Sequence, residues 1–205
     1  MRLSLVALSF SALLTACSSA PDQNNVLTPF VQNLFGRAPA AGPTAAQIRS
    51  RITPEVRARF GNVPLKIAVL ENKPLASVLI ERQRNRDVVT YFTPDGVSVS
   101  YKSGILVGTR GLGFDLMGAD VGDVLASLQS RADGAVRIHH YLDGEGQIVM
   151  RNFICDYSGA KVIVETCYGE GLQFKNTYQI QGGQVTASRQ WISPEQGYIR
   201  LESAS

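Results

Sequence analysis

The sequence predicts an all-β fold with minor helices, in which an antiparallel β meander closes into a barrel-like sandwich. Three observations carry this reading. From Val63 onward, apolar and polar residues alternate with period two, the spacing of a half-buried strand. Turn chemistry interrupts that alternation at short intervals, as in TPDG (93–96), KSG (102–104), DGEG (143–146) and QGGQ (181–184). Strands joined by so few residues cannot be parallel, because a parallel pair needs a long crossover. Nineteen glycines and seven tyrosines among 205 residues lean the same way. One domain suits this length. Twenty basic and 17 acidic residues, a formal +3, form no basic stripe, so nucleic acid is not an expected partner.

The amino-terminal segment is built differently. Residues 3–14, LSLVALSFSALL, are an apolar run behind Arg2. The run is shorter than the roughly 20 residues of a membrane-spanning helix and suits the hydrophobic core of a secretory signal. It stops at Leu14-Thr15-Ala16-Cys17, which resembles the lipobox of bacterial lipoproteins. That resemblance implies thioether diacylation of Cys17, cleavage before it and acylation of the new amino terminus. Three chains at ~0.8 kcal/mol per buried methylene hold a protein on a bilayer far more firmly than one. The next residue is Ser18 rather than the Asp that favours inner-membrane retention, so the outer membrane is the expected location. Cleavage removes only Arg2 among the charges, leaving 19 − 17 = +2. The polar stretch SSAPDQNN cannot bury apolar area and reads as a tether. The expected organisation is a signal peptide over 1–16, a lipidated tether over 17–43 and one antiparallel β domain over 44–205.

Residues 26–36, VLTPFVQNLFG, read as a short amphipathic turn or helix, and RAPAAGP (37–43) as a loop. In TAAQIRSRITPEVRARF (44–60), Thr44 and Gln47 have capping-box spacing, and Ile48, Ile52 and Val56 recur at helical intervals. Pro54 should kink or divide this segment. Strands follow near 64–71, 76–83, 87–93, 97–102 and 104–110. ERQRNRD (81–87) contains its own acids and reads as a solvated strand end or turn. A helix over 118–134 has Val121, Val124, Leu125 and Leu128 on one face, with Asp120 as its N-cap. The β pattern resumes at AVRIHHYL (135–142), QIVMRNFICDY (147–157), VIVETCY (162–168), LQFKNTYQI (172–180), VTASRQWI (185–192) and YIRLES (198–203). Roughly ten strands in consecutive hairpins should close into a barrel or fold over as a sandwich.

Two blocks resemble the YjbF/GfcB lipoproteins. One is SVSYKSGILVGTRGLGFDL, with Gly111-Leu112 followed by Asp115-Leu116. The other is LQFKNTYQIQGGQVTASRQWISPEQGYIRLE, with Asn176, Tyr178, Gly182-Gly183, Ser188, Gln190 and Pro194 at the family's positions. The likeness spans about Val63 to Glu202. It implies an antiparallel β fold, an association with capsule and exopolysaccharide operons, and no established enzymatic activity. The sequence departs from the pattern at Gly182-Gly183, where an Asp and a Thr before Gly would be expected, and in ending soon after Pro194.

Few residues suggest chemistry. With Cys17 lipidated, Cys155 and Cys167 remain as an even pair in an oxidising compartment, the arithmetic of one disulfide. A tight SGAK turn (158–161) would place Cys155 opposite Val164, about 10 Å from Cys167 along the strand. The bond therefore requires a bulge or wider loop. His139-His140 with Asp143 and Glu145 is the nearest thing to a reactive cluster. Adjacent strand residues point to opposite faces, so one histidine near the core and one facing solvent is the expectation, with no metal. GTRGLG (108–113) lacks a phosphate loop's Lys-Ser/Thr ending, and its glycines suit a corner between strands. Tyr91, Phe92, Tyr101, Trp191 and Tyr198 alternate with polar residues and should mostly be core. Trp191, by stacking, and Arg110, by charge, are the candidates for contact with a glycan.

No catalytic residue and no cofactor is expected. The reading is a non-catalytic, outer-membrane-anchored accessory in exopolysaccharide or capsule secretion, facing the periplasm. Its partners would be the membrane, polysaccharide and proteins of the export operon. An envelope glycan-modifying enzyme would instead need two carboxylates facing one cleft. A structural lipoprotein supporting outer-membrane assembly would need neither.

Overall fold

The computed structural model describes residues 42–73 and 75–204 of the chain. The signal segment, Cys17 and the 26–36 stretch lie outside those residues. Two short helices come first, α1 (Ala45–Arg51) and α2 (Pro54–Arg59). Thr44 starts α1 through a reciprocal capping box: its Oγ1 accepts from Gln47 N at 3.2 Å, and Gln47 Oε1 accepts from Thr44 N at 2.9 Å. Pro54 divides the segment as its chemistry requires. It takes the first turn of α2, where a missing N–H costs nothing, and Thr53 caps that helix. Among the described residues no helix is long and apolar enough to cross a membrane.

The strands are β1 (Leu65–Leu70), β2 (Leu75–Asn85), β3 (Val88–Phe92), β4 (Ser98–Lys102), β5 (Ile105–Arg110) and β6 (Gly118–Asp120). After helix α3 (Gly122–Ser130) come β7 (Ala135–Leu142), β8 (Ile148–Ser158), β9 (Val162–Gly169), β10 (Leu172–Gln181), β11 (Gln184–Ser193) and β12 (Gly197–Ser203). They form one antiparallel sheet in the order β5-β4-β3-β2-β1-β12-β11-β10-β9-β8-β7-β6. The first and last strands pair, with Lys66 opposite Ser203 and Leu70 opposite Ile199. The sheet curls until β5 and β6 meet, giving a nearly closed barrel. At that seam Thr109 N donates to Leu116 O at 2.8 Å.

Alternation along the strands explains the layers. Leu65, Ile67, Ala76, Val78 and Ile80 point outward from β1 and β2, under Ile48 of α1. The intervening Ala68 and Leu79 point into the barrel with Tyr91, Tyr101, Ile199 and Leu201. The other half of the interior holds Phe153, Phe174, Tyr178 and Trp191, with Val124 and Leu128 of α3 packed against the same cluster. The interior is filled by side chains.

Three local expectations require correction. The SGAK turn is wider than four residues, because Ser158 pairs with Val164. Gly159 lies at φ +87°, and a Cβ there would sit 2.2 Å from Val162 O, so the turn depends on glycine. This register brings Cys155 directly opposite Cys167, with Cα atoms 4.0 Å apart and the sulfurs bonded. Asp120 is not the N-cap of α3 but the last residue of β6, and its Oδ1 accepts from Gly122 N at 3.1 Å. The segment read as one helix over 118–134 contains β6 as well as α3.

Both cysteines are fully buried, so the bond is shielded from reductant in the folded state. Closing a loop of this length stabilises by about 3 kcal/mol in the chain-entropy account. Replacing both cysteines by Ala should lower the unfolding free energy by about 2–3 kcal/mol in urea titration. Thiol titration of the wild type should find no reactive thiol at either position until the protein is unfolded and reduced.

Candidate functional site

At the centre of the barrel lies a buried ion pair. Arg137 on β7 is 1% exposed and Glu165 on β9 is 0% exposed. Their closest approach is 2.9 Å, from Nη2 to Oε2, and Nε and Nη2 both also donate to Oε1. The carboxylate receives three further bonds, from Tyr157 OH at 2.9 Å, Tyr178 OH at 2.7 Å and Asn176 Nδ2 at 2.7 Å. An ion pair so far from water persists only when its remaining donors and acceptors are matched. Burial opposes the charge on Arg137, but Glu165 beside it and the tyrosine oxygens hold it protonated above its ordinary range. Burial, reinforced by Glu165, keeps the Tyr157 and Tyr178 phenols protonated.

The network reaches further through the residues of the C-terminal sequence block. Asn176 Oδ1 accepts from Trp191 N at 2.7 Å. Gln190 on β11 spans the interior to β5, accepting from Leu106 N at 2.7 Å and donating to Gly104 O at 2.9 Å. It also donates to Ser188 Oγ. These side chains join the two halves of the barrel where no ladder does.

His139 is fully buried and His140 partly so, the division that alternation predicts. Tyr141 OH donates to Ile192 O at 2.6 Å, so it accepts from His139 Nδ1 at 2.9 Å. Nε2 lies 3.4 Å from Arg137 Nη1, which donates to it. The ring is therefore the neutral Nδ1–H tautomer. Burial, with Arg137 and His140 nearby, holds its pKa well below the ordinary value. Asp143 does not join the histidines; it accepts from Glu145 N and Gln147 N in its own turn.

Trp191 is not a sugar platform. The β10–β11 pairing begins at Thr177–Arg189. Beyond it the Asn176 side chain takes the Trp191 amide, and the ring turns inward. It is 7% exposed and packs in one aromatic cluster, stacked on Phe174 at 4.4 Å and near-parallel to His139 at 5.8 Å, so the ring lies in the core. Arg110 is exposed, but its guanidinium donates to the carbonyls of Thr109, Leu116 and Met117. It braces the 111–117 loop together with Asp115, which accepts from Gly111 N and Leu112 N, and with Ser193 and Gln196, which donate to Phe114 O and Leu112 O. This is the role of the Gly-Leu and Asp-Leu pairs in the first sequence block. The Cys155 and Cys167 sulfurs and a Glu165 oxygen lie within 4.8 Å of one another. Bonded sulfurs have no thiolate to offer, so the trio is no metal cradle.

The barrel opens at its ends. One mouth leads to a cavity of about 410 Å³ lined by Lys66, Tyr91, Tyr101 and Leu201, with Gly104 and Gln184 at the hairpins around it. Sequence reasoning missed it. Its signal was the extra residue in β2: the β2–β3 register shifts between Glu81 and Gln83, leaving Arg82 as a bulge. Without the bulge, Glu81 and Arg84 would point to opposite faces. With it they share the side of their partners Tyr91 and Val89, and Arg84 donates to both Glu81 oxygens at 2.9 Å. A second cavity of about 640 Å³ lies at the opposite end, lined by Phe114, Met117, Tyr141, Arg151 and Glu195.

The described residues thus form a nearly closed antiparallel barrel filled by its own side chains. The chain belongs to the YjbF family, described as group 4 capsule polysaccharide lipoprotein gfcB, YjbF, which matches residues 34–203. It is thus a lipoprotein-family member of the cell envelope, anchored to a membrane. A crystal structure of the hypothetical lipoprotein YmcC from Escherichia coli (K12) has the same fold. It is 16% identical with a TM-score of 0.63, covering 92% of this chain and 98% of that one. No curated protein sequence matches the chain.

Two measurements probe the buried network. Glu165→Gln leaves Arg137 uncompensated and should cost about 3–5 kcal/mol; Arg137→Met in the same chain should recover part of that loss in urea unfolding. His139 stays neutral when folded, whereas the unfolded chain binds a proton below about pH 6.5. Its contribution is thus complete above that pH and is lost as pH falls below it, at up to ~1.4 kcal/mol per pH unit. Unfolding free energies between pH 7.5 and 5 should fall less steeply in His139→Gln than in the wild type.

Proposed function

We propose that this protein is an outer-membrane lipoprotein that assists the secretion or assembly of a capsular or exopolysaccharide without catalysing a reaction on it. The observation that carries this reading is the family match over residues 34–203, to lipoproteins described by group 4 capsule polysaccharide. Leu14-Thr15-Ala16-Cys17 supplies the anchor, and Ser18 favours the outer membrane. A filled interior favours a binding or assembly role over a conduit. The buried carboxylate of Glu165 is closed off by its own donors, which favours a structural use of that acid. Polysaccharide and export-operon proteins are the partners.

Two strains test the reading. Cys17→Ala should abolish labelling by radioactive palmitate and move the protein out of the outer-membrane fraction. Deletion of the gene should reduce surface polysaccharide severalfold, with complementation by the wild type and not by Cys17→Ala. Unchanged polysaccharide in the deletion strain would reject the role.

A further inference from the structure

Two polar groups in the 410 Å³ cavity lack the partners that burial ordinarily demands. Tyr101 on β4 is 3% exposed, and its hydroxyl has no hydrogen-bond partner among the described residues. Buried hydroxyls are almost always paired in folded proteins. Tyr91 meets this ring edge-on at 6.2 Å, which fixes it in place without bonding its oxygen.

Lys66 on β1 is the second. Alternation settles its direction: Leu65 and Ile67 face outward beneath α1, so Lys66 faces the barrel mouth between them. It is half-buried, and among the described residues no carboxylate lies within 4.0 Å of its ammonium. The acid whose field reaches it, Glu81, is already held by both arms of Arg84. Asp87 at the rim pairs with Lys102. Among the described residues, the lining of this cavity therefore includes one cation without a carboxylate partner and one unmatched phenol.

We propose that this cavity binds a carboxylate-bearing sugar unit, with its carboxylate taken by Lys66 and Tyr101. The inference rests on the polysaccharide role proposed above and assigns it a ligand class and a site. One free ammonium matches one negative charge. A phosphate dianion draws on several backbone N–H groups or a free guanidinium, and the guanidinium here is occupied. Ser103, Gln129 and Gln184 supply neutral donors and acceptors around the charge, which suits a ring of hydroxyls. The volume lies within the range of about 300–1,000 Å³ typical of small-ligand sites. Burial lowers the Lys66 pKa from its ordinary value, and a bound carboxylate would restore the lost solvation.

The test uses the full-length lipidated protein in detergent micelles. The probes are trimers of galacturonate and of glucuronate, their carboxyl-reduced neutral counterparts, and inorganic phosphate as competitor. At least one uronate trimer should bind in calorimetry, with its neutral counterpart at least tenfold weaker. Lys66→Met, which keeps the stem and removes the charge, should weaken uronate binding at least tenfold. Tyr101→Phe, which removes one oxygen from an unbonded position, should weaken it about threefold while leaving the melting temperature unchanged or higher. No uronate binding at millimolar concentration, equal binding of charged and neutral trimers, or unaltered binding by a folded Lys66→Met protein would overturn the site. Displacement by phosphate at equal affinity would overturn the sugar assignment. The role itself is judged separately, by polysaccharide in the deletion strain. Loss of polysaccharide on deletion combined with no uronate binding would reject this site alone.

Discussion

The barrel depends on a charge pair that water never reaches. Arg137 and Glu165 sit on strands separated by β8, and the groups that complete them come from β8 and β10. Each donor is set by the register of its strand, so a slip of one residue in any of four strands would leave an ion unmatched. Such a pair adds little net stability compared with an apolar core. What it enforces is alignment, because alternative registers would strand a charge in a medium that cannot solvate it. Gln190 extends the same logic to β5, the strand at one end of the sheet, by bonding backbone groups that no neighbouring strand reaches.

Most of the scaffold was legible because its turns are chemically explicit. The strand over 135–142 has the bounds its sequence predicts, and the capping box at Thr44 and the division at Pro54 follow from side-chain chemistry alone. The strand β6 was not legible, since three residues, Gly118 to Asp120, show no period. The Cys155–Cys167 register escaped because a loop was read as a four-residue turn.

The interior was the hardest part to read. On β7, Arg137 and His139 point inward while Val136 lies 38% exposed outside, the reverse of the usual pattern. A single strand cannot reveal that its polar face is the buried one, because the partners that make this tolerable lie on other strands. Trp191 lies in the core, as expected of the strand aromatics, but nothing in its own strand shows that a side chain, Asn176, takes its amide in place of the ladder. Tyr101 is core, as expected of the strand aromatics, but its strand says nothing of Lys66, and only the closing of the sheet brings the two to one cavity.

Pairing between β1 and β12 joins residues as far apart in the chain as Lys66 and Ser203, 203 − 66 = 137 positions. Such a closure is non-local: its loop entropy is lost before its contacts repay it, so the joining of β1 to β12 should be slow beside the formation of the hairpins that lie between them.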